Sequence, residues 1–516
     1  MRAVALVALA LVACRADDTK DTEPVDSGDT APEVRDPRFD ALAAAIEAER
    51  DALGAPGVAV AVFDSQGVLW AEGFGVRHPD EDTPVADTTL FRIGSVTKML
   101  TAAALLQQVE DGLVDLEAPV TDYVPDLAFT RDPTWADSIQ VGHLINHTAG
   151  LYDYGSLNDG PDDANLSDIL TGYFAHNCWL MSPSGRFWNY SNPNFSLAGL
   201  IVERVDGRSY REVMDAELFT PLGMDRTFFL GEDVLADGDY ASGLTTNWVT
   251  GQGRAVAEPD SYDSGFMRPA GFAYASVHDL AAFGGFLLAG DPGVLSDTLR
   301  SEMRSAQIPL EMGVPFQSYG YGLFISDGIL QADGLVPTPL VSHGGDIPGF
   351  AADLYLLPEQ DLGIAMLANT DRAHFSNVLD EWMALADLPA PVEAPDLSPD
   401  PDTFASVAGR YSDPYNVGDI EVTVDGEQVG ISMPLLDQYD IPYGARLTPY
   451  LPDTFILQVQ GIQVALTFIR DGDGEVEYLR TRYFVGARAE DEAAGPPLSP
   501  PVPRLSPAPL GAPLPR

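Results

Sequence analysis

Ser95 and Lys98 stand three residues apart in Ser95-Val96-Thr97-Lys98, at the start of a long apolar run, and Lys98 is one of only two lysines in the 516-residue chain. The other, Lys20, lies in a polar leader, and every remaining basic side chain is arginine or histidine. Guanidinium groups keep their proton, so Lys98 is the amine of the folded part that burial can bring to its neutral form. Positions i and i+3 share a helix face, which puts that amine within reach of the serine hydroxyl. A neutral amine there takes the hydroxyl proton and makes Ser95 a nucleophile, while a helix N-terminus favours a developing oxyanion. The same residues have a plain structural reading as well, because serine is a common N-cap and lysine can run its stem along an apolar face to water.

The elements that would hold this pair follow from hydrophobic periodicity. The spacing predicts helices over 39–53 and 95–109, the second apolar all round and therefore buried. A hairpin is expected between them, from Gly57–Phe63 and Val68–Ala71 flanking Asp64-Ser65-Gln66-Gly67. Further helices are expected near 196–205, 210–218 and 277–288, strands over 319–325, 340–343, 352–357 and 362–368, and a closing helix over 377–386. Strands at both ends with helices between them imply one sheet covered by helices, an α/β (α+β) architecture. A Pro-rich stretch, 389–403, reads as a linker, and 404–488 has the short alternating runs of a small antiparallel β-barrel or sandwich. Asp471-Gly472-Asp473-Gly474 fits a hairpin turn better than half a calcium loop, since no ligand-bearing Glu follows at loop spacing. The tail, 489–516, is Pro-rich.

Composition narrows the partners. Against 28 basic residues stand 78 acidic ones, a formal charge of −50, which repels nucleic acid and anionic headgroups alike. Residues 1–13 read as a signal peptide, with Arg2 followed by an apolar run too short to span a bilayer. Leu11-Val12-Ala13-Cys14 resembles a bacterial lipobox, which implies a lipidated Cys14, an acidic tether over 14–35, and a folded part hung from the cell envelope; Arg15 after it resembles outer-membrane sorting. An ordinary signal peptide is the alternative. Cys178 then has no partner and reads as a small buried hydrophobe. His143 and His147, an i,i+4 pair without the intervening Glu of a metallopeptidase helix, read as structural or capping residues, and the chemistry requires neither metal nor cofactor.

Two more elements accompany the Ser-x-x-Lys: Tyr190-Ser191-Asn192 and His343-Gly344-Gly345. In this order the three resemble the signatures of the serine β-lactamase and penicillin-binding-protein superfamily. Leu144–Leu151, Asn189–Phe195, Pro221-Leu222-Gly223-Met224 and His343–Phe350 are similar to its class C β-lactamase-related branch, which also holds DD-carboxypeptidases, D-amino-acid amidases and esterases. The resemblance covers 36–388. Residues 404–488 are similar to the lipocalin-like barrel that some members append.

The resemblance implies an antiparallel sheet flanked by helices and a roster of roles. Ser95 would be acylated, Lys98 and Tyr190 would share the base role with the Tyr190 phenolate stabilised by the nearby ammonium, and Asn192 would hold the substrate and orient Lys98. Backbone N–H groups of Ser95 and Asp346 would form the oxyanion hole, with Gly345 allowing close approach of the strand. Taken singly, Tyr190 could be a core aromatic, Asn192 a turn residue before Pro193, and His343 a packing residue. A departure from the pattern falls at His343-Gly344-Gly345, where β-lactamases have Lys-Thr-Gly. A neutral imidazole and a glycine weaken recognition of a substrate carboxylate. The expectation is therefore a serine hydrolase of a small ester or short peptide substrate. A β-lactamase or DD-carboxypeptidase, and a non-catalytic envelope lipoprotein binding a peptide or peptidoglycan, are the alternatives. Specificity is expected from loops over 152–177 and 245–272.

Overall fold

The computed structural model describes residues 35–132, 134–246, 254–314 and 316–489. The expected signal peptide, Cys14 and the expected tether up to residue 34, the Pro-rich tail from residue 490 and a part of the 245–272 loop lie outside the described residues.

Strand Gly57–Asp64, with its alternating Val and Ala, shows how the sheet is made. Its elements in chain order are helix α1 (Asp40–Leu53), strands β1 (Gly57–Asp64) and β2 (Gly67–Gly75), and helices α2 (Thr97–Glu110), α3 (Asn192–Asp206) and α4 (Val277–Ala289). Strands β3 (Ile308–Pro309), β4 (Gln317–Tyr319), β5 (Phe324–Ser326), β6 (Leu340–Ile347), β7 (Phe350–Leu357) and β8 (Leu362–Ala368) follow, then helix α5 (Val378–Met383). The sheet runs β2-β1-β8-β7-β6-β5-β4-β3, with antiparallel pairing throughout. Side chains alternate across a strand, so Val58, Val60 and Val62 of β1 meet Phe39, Ile46 and Trp382 on one face, where α1 and α5 lie. Ala59, Ala61 and Phe63 join the larger core on the other, which holds α2, α3 and α4. Covered on both faces, β1 is buried up to Asp64.

Two expectations are corrected. The segment 319–325, read as one strand, is a hairpin in which Tyr319 pairs with Phe324. Gly322, at φ 74°, makes the turn that the run of aromatic and aliphatic residues conceals. The helix expected from Ser95 starts at Thr97, preceded by a 3₁₀ turn over Gly94–Val96. That tighter turn leaves the Ser95 hydroxyl out of the helix cap, since no side chain caps α2.

Strands Gly409–Asp413 (β9), Gly418–Asp425 (β10), Gln428–Ser432 (β11), Arg446–Leu451 (β12), Thr454–Val459 (β13), Ile462–Arg470 (β14), Val476–Arg480 (β15) and Val485–Arg488 (β16) form a closed barrel. Neighbours in sequence pair antiparallel, and β9 closes on β16. Its interior is filled by Tyr411, Ile420, Phe455, Leu457, Phe468 and other apolar side chains, as expected of a small eight-stranded barrel. The 471–474 segment is the β14–β15 turn, where Asp471 Oδ1 accepts from the amides of Asp473 and Glu475. Among the described residues no helix is long and apolar enough to cross a membrane.

The ring of Phe63 is wedged between two glycines, Gly284 of α4 and Gly363 of β8, at either of which a Cβ would lie 2.3 Å from it. Alanine in place of glycine ordinarily strengthens a helix interior by about 0.5–1 kcal/mol. Here the clash reverses the sign: Gly284→Ala should destabilise the protein by about 1–3 kcal/mol, read as a lower urea midpoint, and a raised midpoint would refute this packing.

Candidate active site

The Gly94–Val96 turn lies against strand β6, and the contact is tight enough to require glycine on both sides. A Cβ on Gly345 would fall 2.0 Å from the Ile93 carbonyl oxygen and 3.0 Å from the Ser95 amide nitrogen. On Gly94, at φ 51°, it would fall 2.9 Å from the Asp346 amide nitrogen. The backbones of Ser95 and Asp346 are thereby brought side by side, the arrangement a two-donor oxyanion hole requires. The Asp346 side chain turns away, accepting from the Arg372 amide at 3.0 Å and lying 2.9 Å from His374 Nε2. His374 sits between Asp346 and Asp353, whose carboxylates offset its burial and raise its pKa to about 11. The resulting imidazolium anchors the end of β6.

Lys98 is wholly buried. Its Nζ lies 2.5 Å from the Ala270 carbonyl, 2.8 Å from Asn192 Oδ1 and 3.0 Å from Ser95 Oγ. The first two oxygens only accept, so they take two N–H bonds of the amine and leave its third direction on the serine hydroxyl. Burial holds the Lys98 pKa well below an ordinary lysine's, against the pull of Asp153. In the neutral form the lone pair therefore faces Ser95 Oγ. Tyr190 Oη donates to the same oxygen at 2.8 Å, and burial raises the phenol's pKa, although Arg482 opposes this. The tyrosine is thus a proton donor at rest rather than the phenolate expected from its neighbouring ammonium.

Asn192 is the first residue of α3, with Pro193 in the first turn, where its missing N–H costs no hydrogen bond. Both its amide nitrogen and its Nδ2 donate to Asp153 Oδ1, at 2.9 and 3.0 Å. This fixes the side-chain orientation so that the carbonyl end faces Lys98.

His343 is on the active-site face of β6 and is buried. Its Nδ1 lies 2.7 Å from the Gly344 carbonyl and so carries the proton, leaving Nε2 to accept from Tyr319 Oη at 3.0 Å. Burial and the nearby Lys98 lower its pKa to about 3, so this position offers a substrate no cation.

The remaining histidines and the cysteine divide. His143 Nδ1 accepts from the Gln140 amide at 3.2 Å, a helix-capping contact. His147 is placed in the site instead: its ring centroid is 4.3 Å from that of Tyr190, and its Nδ1 faces the Ser191 amide and Asn194 Nδ2. Cys178 is buried and, among the described residues, has no cysteine partner, and burial raises its thiol pKa.

Two contributors have no motif to mark them. Asp153 follows a loop of ordinary composition, and Arg482 belongs to the barrel, 329 positions away in sequence. They form an ion pair in which Arg482 Nη2 and Nε both donate to Asp153 Oδ2, at 2.6 and 2.8 Å. A cleft of about 750 Å³ runs between the sheet and the barrel, with Trp188, Tyr190 and Phe324 on one wall and Arg480, Arg482 and Tyr483 on the other.

Residues 42–388 match the Beta-lactamase family, and the chain belongs to it. Among curated relatives it is 29% identical over 356 residues to the unguisins hydrolase ungD' of Aspergillus campestris, 66% of this chain and 63% of that protein. The chain thus spans less than two thirds of that relative's length. It is 28% identical over 374 residues to Esterase EstB of Burkholderia gladioli, covering 65% of this chain and 90% of the esterase. The crystal structure of SurE superposes with a TM-score of 0.65 at 23% identity, over 88% of this chain and 99% of that one. That likeness is one of fold, and its extent takes in the barrel.

Because the Gly345 contact sets the spacing of the two backbone donors, Gly345→Ala should slow covalent labelling of Ser95 by a fluorophosphonate about 100-fold, the usual cost of a 1 Å misplacement. Circular dichroism should remain that of the parent. Undiminished labelling would show that the Ile93–Gly345 contact is not needed.

Proposed function

We propose that this member of the Beta-lactamase family, a hydrolase of that superfamily, cleaves ester or amide bonds through an acyl-enzyme on Ser95. The observation that carries the reading is the buried amine of Lys98, with its two carbonyl acceptors satisfied and its free direction on Ser95 Oγ. Neutral Lys98 takes the hydroxyl proton as Oγ attacks the substrate carbonyl carbon. The oxyanion that forms is held by the N–H groups of Ser95 and Asp346. Tyr190, hydrogen-bonded to the same Oγ, passes a proton to the leaving oxygen or nitrogen as the tetrahedral intermediate collapses. Water then enters, gives a proton back through Lys98 and Tyr190, and releases the acid with Ser95 restored.

Substrate class follows from the β6 residues beside the catalytic serine. A neutral His343 and Gly344 stand where a penicillin or D-Ala-D-Ala carboxylate would need a cation and a hydroxyl. This favours small esters, or amides and short peptides of D-amino acids, over β-lactams and DD-peptide termini. The relative named an esterase agrees with that preference. We propose as well a bacterial cell-envelope location with a lipid anchor on Cys14, which the lipobox-like Leu11-Val12-Ala13-Cys14 supports.

Soluble protein beginning at Asp36 should form a fluorophosphonate adduct located on Ser95 by mass spectrometry, and no adduct with a fluorescent penicillin. Labelling by both would restore the β-lactamase or DD-carboxypeptidase reading, and labelling by neither would favour the binding lipoprotein. Ser95→Ala should lose hydrolysis of model esters by at least about 1,000-fold. Labelling of the parent should also reach its plateau at a pH well below 10.5, the ordinary value for lysine; a rise that continues to that pH would exclude Lys98 as the base.

A further inference from the structure

The barrel does not merely sit beside the catalytic domain. Arg480, at the end of β15, donates to the carbonyls of Trp188 at 2.6 Å and of Leu310 and Glu311 at 3.0 Å. It is buried, so three backbone oxygens of the catalytic domain receive the charge-assisted bonds they would lack without the barrel. Trp188 is two residues before Tyr190. The next turn, 481–484, carries Arg482 into the site. There its guanidinium carbon lies 4.6 Å from the centre of the Tyr190 ring, and its nitrogens pair with Asp153 Oδ2. The side chains are 17% and 2% exposed. Asp153 Oδ1 meanwhile accepts twice from Asn192, whose Oδ1 lies 2.8 Å from Lys98 Nζ.

A continuous chain of contacts therefore runs from the barrel to the amine: Arg482, Asp153, Asn192, Lys98. We propose, on the footing of the acyl-enzyme reading above, that the barrel is part of the active site and that Arg482 is a positioning residue. It locks the carboxylate that orients Asn192 and balances the charge of that carboxylate beside Lys98 and Tyr190.

Charge balance gives the proposal its test. Facing Lys98 and Tyr190 are Asp153 from its loop, Arg482 from the barrel, His147, His343 of β6 and Tyr319 of β4, while the Asp346 carboxylate, turned away, acts on Tyr190 through its charge alone. Burial and the charge of Lys98 hold both histidines below their ordinary values, and burial keeps Tyr319 protonated. Asp346 is engaged by His374. Asp153 and Arg482 therefore stand as opposed charges: the carboxylate raises the Lys98 pKa and the guanidinium lowers it. Removing Arg482 leaves the carboxylate uncompensated, so Lys98 holds its proton to higher pH. Removing the charge of Asp153 does the reverse. Removing both restores the balance.

The measurement is the rate of Ser95 phosphonylation by a fluorophosphonate as a function of pH, on full-length folded protein. Arg482→Gln should move the acid limb up by about one pH unit, a ten-fold slower reaction below it. Asp153→Asn should move the limb down, the double variant should bring it back towards the parent, and Arg482→Lys should keep it near the parent position. A purely structural role would lower the rate evenly across pH, without rescue in the double variant, and either that result or unchanged profiles would overturn the proposal. If Arg482→Gln does not fold, the downward shift in Asp153→Asn is the deciding readout, and its absence overturns the proposal. A parent protein without a Ser95 adduct would instead sink the hydrolase reading, and the proposal with it.

Discussion

The burial of one amine governs the arrangement. An ammonium ion removed from water costs several kcal/mol unless paired, and a lysine in that position favours its neutral form. Lys98 has no exposed surface, yet every polar direction of its nitrogen is occupied. Two carbonyl oxygens, from Ala270 and Asn192, orient it, and the third direction meets the hydroxyl that chemistry would use. The apolar length of α2, the packing of α3 against it and the sheet below exist around that nitrogen as the wall that keeps water from solvating it.

A second constraint comes from close backbone approach. Oxyanion donors must be fixed in place before the reaction if they are to cost no reorganisation, and backbone N–H groups held by packing meet that condition. The Gly94–Val96 turn and β6 meet with no room for a Cβ on either Gly94 or Gly345. The end of β6 is held from its other face by the Asp346–His374–Asp353 cluster, where two carboxylates keep one imidazole protonated. The acylation machinery thus faces one side of the sheet, and the ionic support for its strand faces the other.

The barrel adds charge where the catalytic domain has a deficit. On a chain of net charge −50, the barrel brings two arginines to the cleft, Arg480 buried at a strand end and Arg482 partly buried in the turn after it. Arg480 binds carbonyl oxygens and Arg482 a buried carboxylate. Neither interaction would survive in a separate, solvated barrel, because water would compete for both partners. The cleft between the two units is therefore shaped by their docking, and so is the electrostatic setting of Tyr190.

What the sequence determined by itself was local. The scarcity of lysine and the three-residue spacing of Ser95 and Lys98 are read from the residues themselves, the alternating runs of the barrel from periodicity, and the Tyr-Ser-Asn and His-Gly-Gly elements from their resemblance to a family's signatures. One sheet covered by helices was legible in the apolar runs of strands such as β1 and β8, while its antiparallel order was implied by the family resemblance. The 319–325 hairpin was not, since Tyr319 and Phe324 are both strand formers and only their pairing shows the turn between them. The tertiary structure alone decided that Tyr190 rests as a proton donor and that His147 packs on it, and burial reinforces the neutral His343 already expected, because burial belongs to the packed whole. It alone decided the Asp153–Arg482 pair as well. An aspartate and an arginine 329 residues apart carry no mark of each other in an acidic chain, and their meeting depends on where a barrel docks on a sheet.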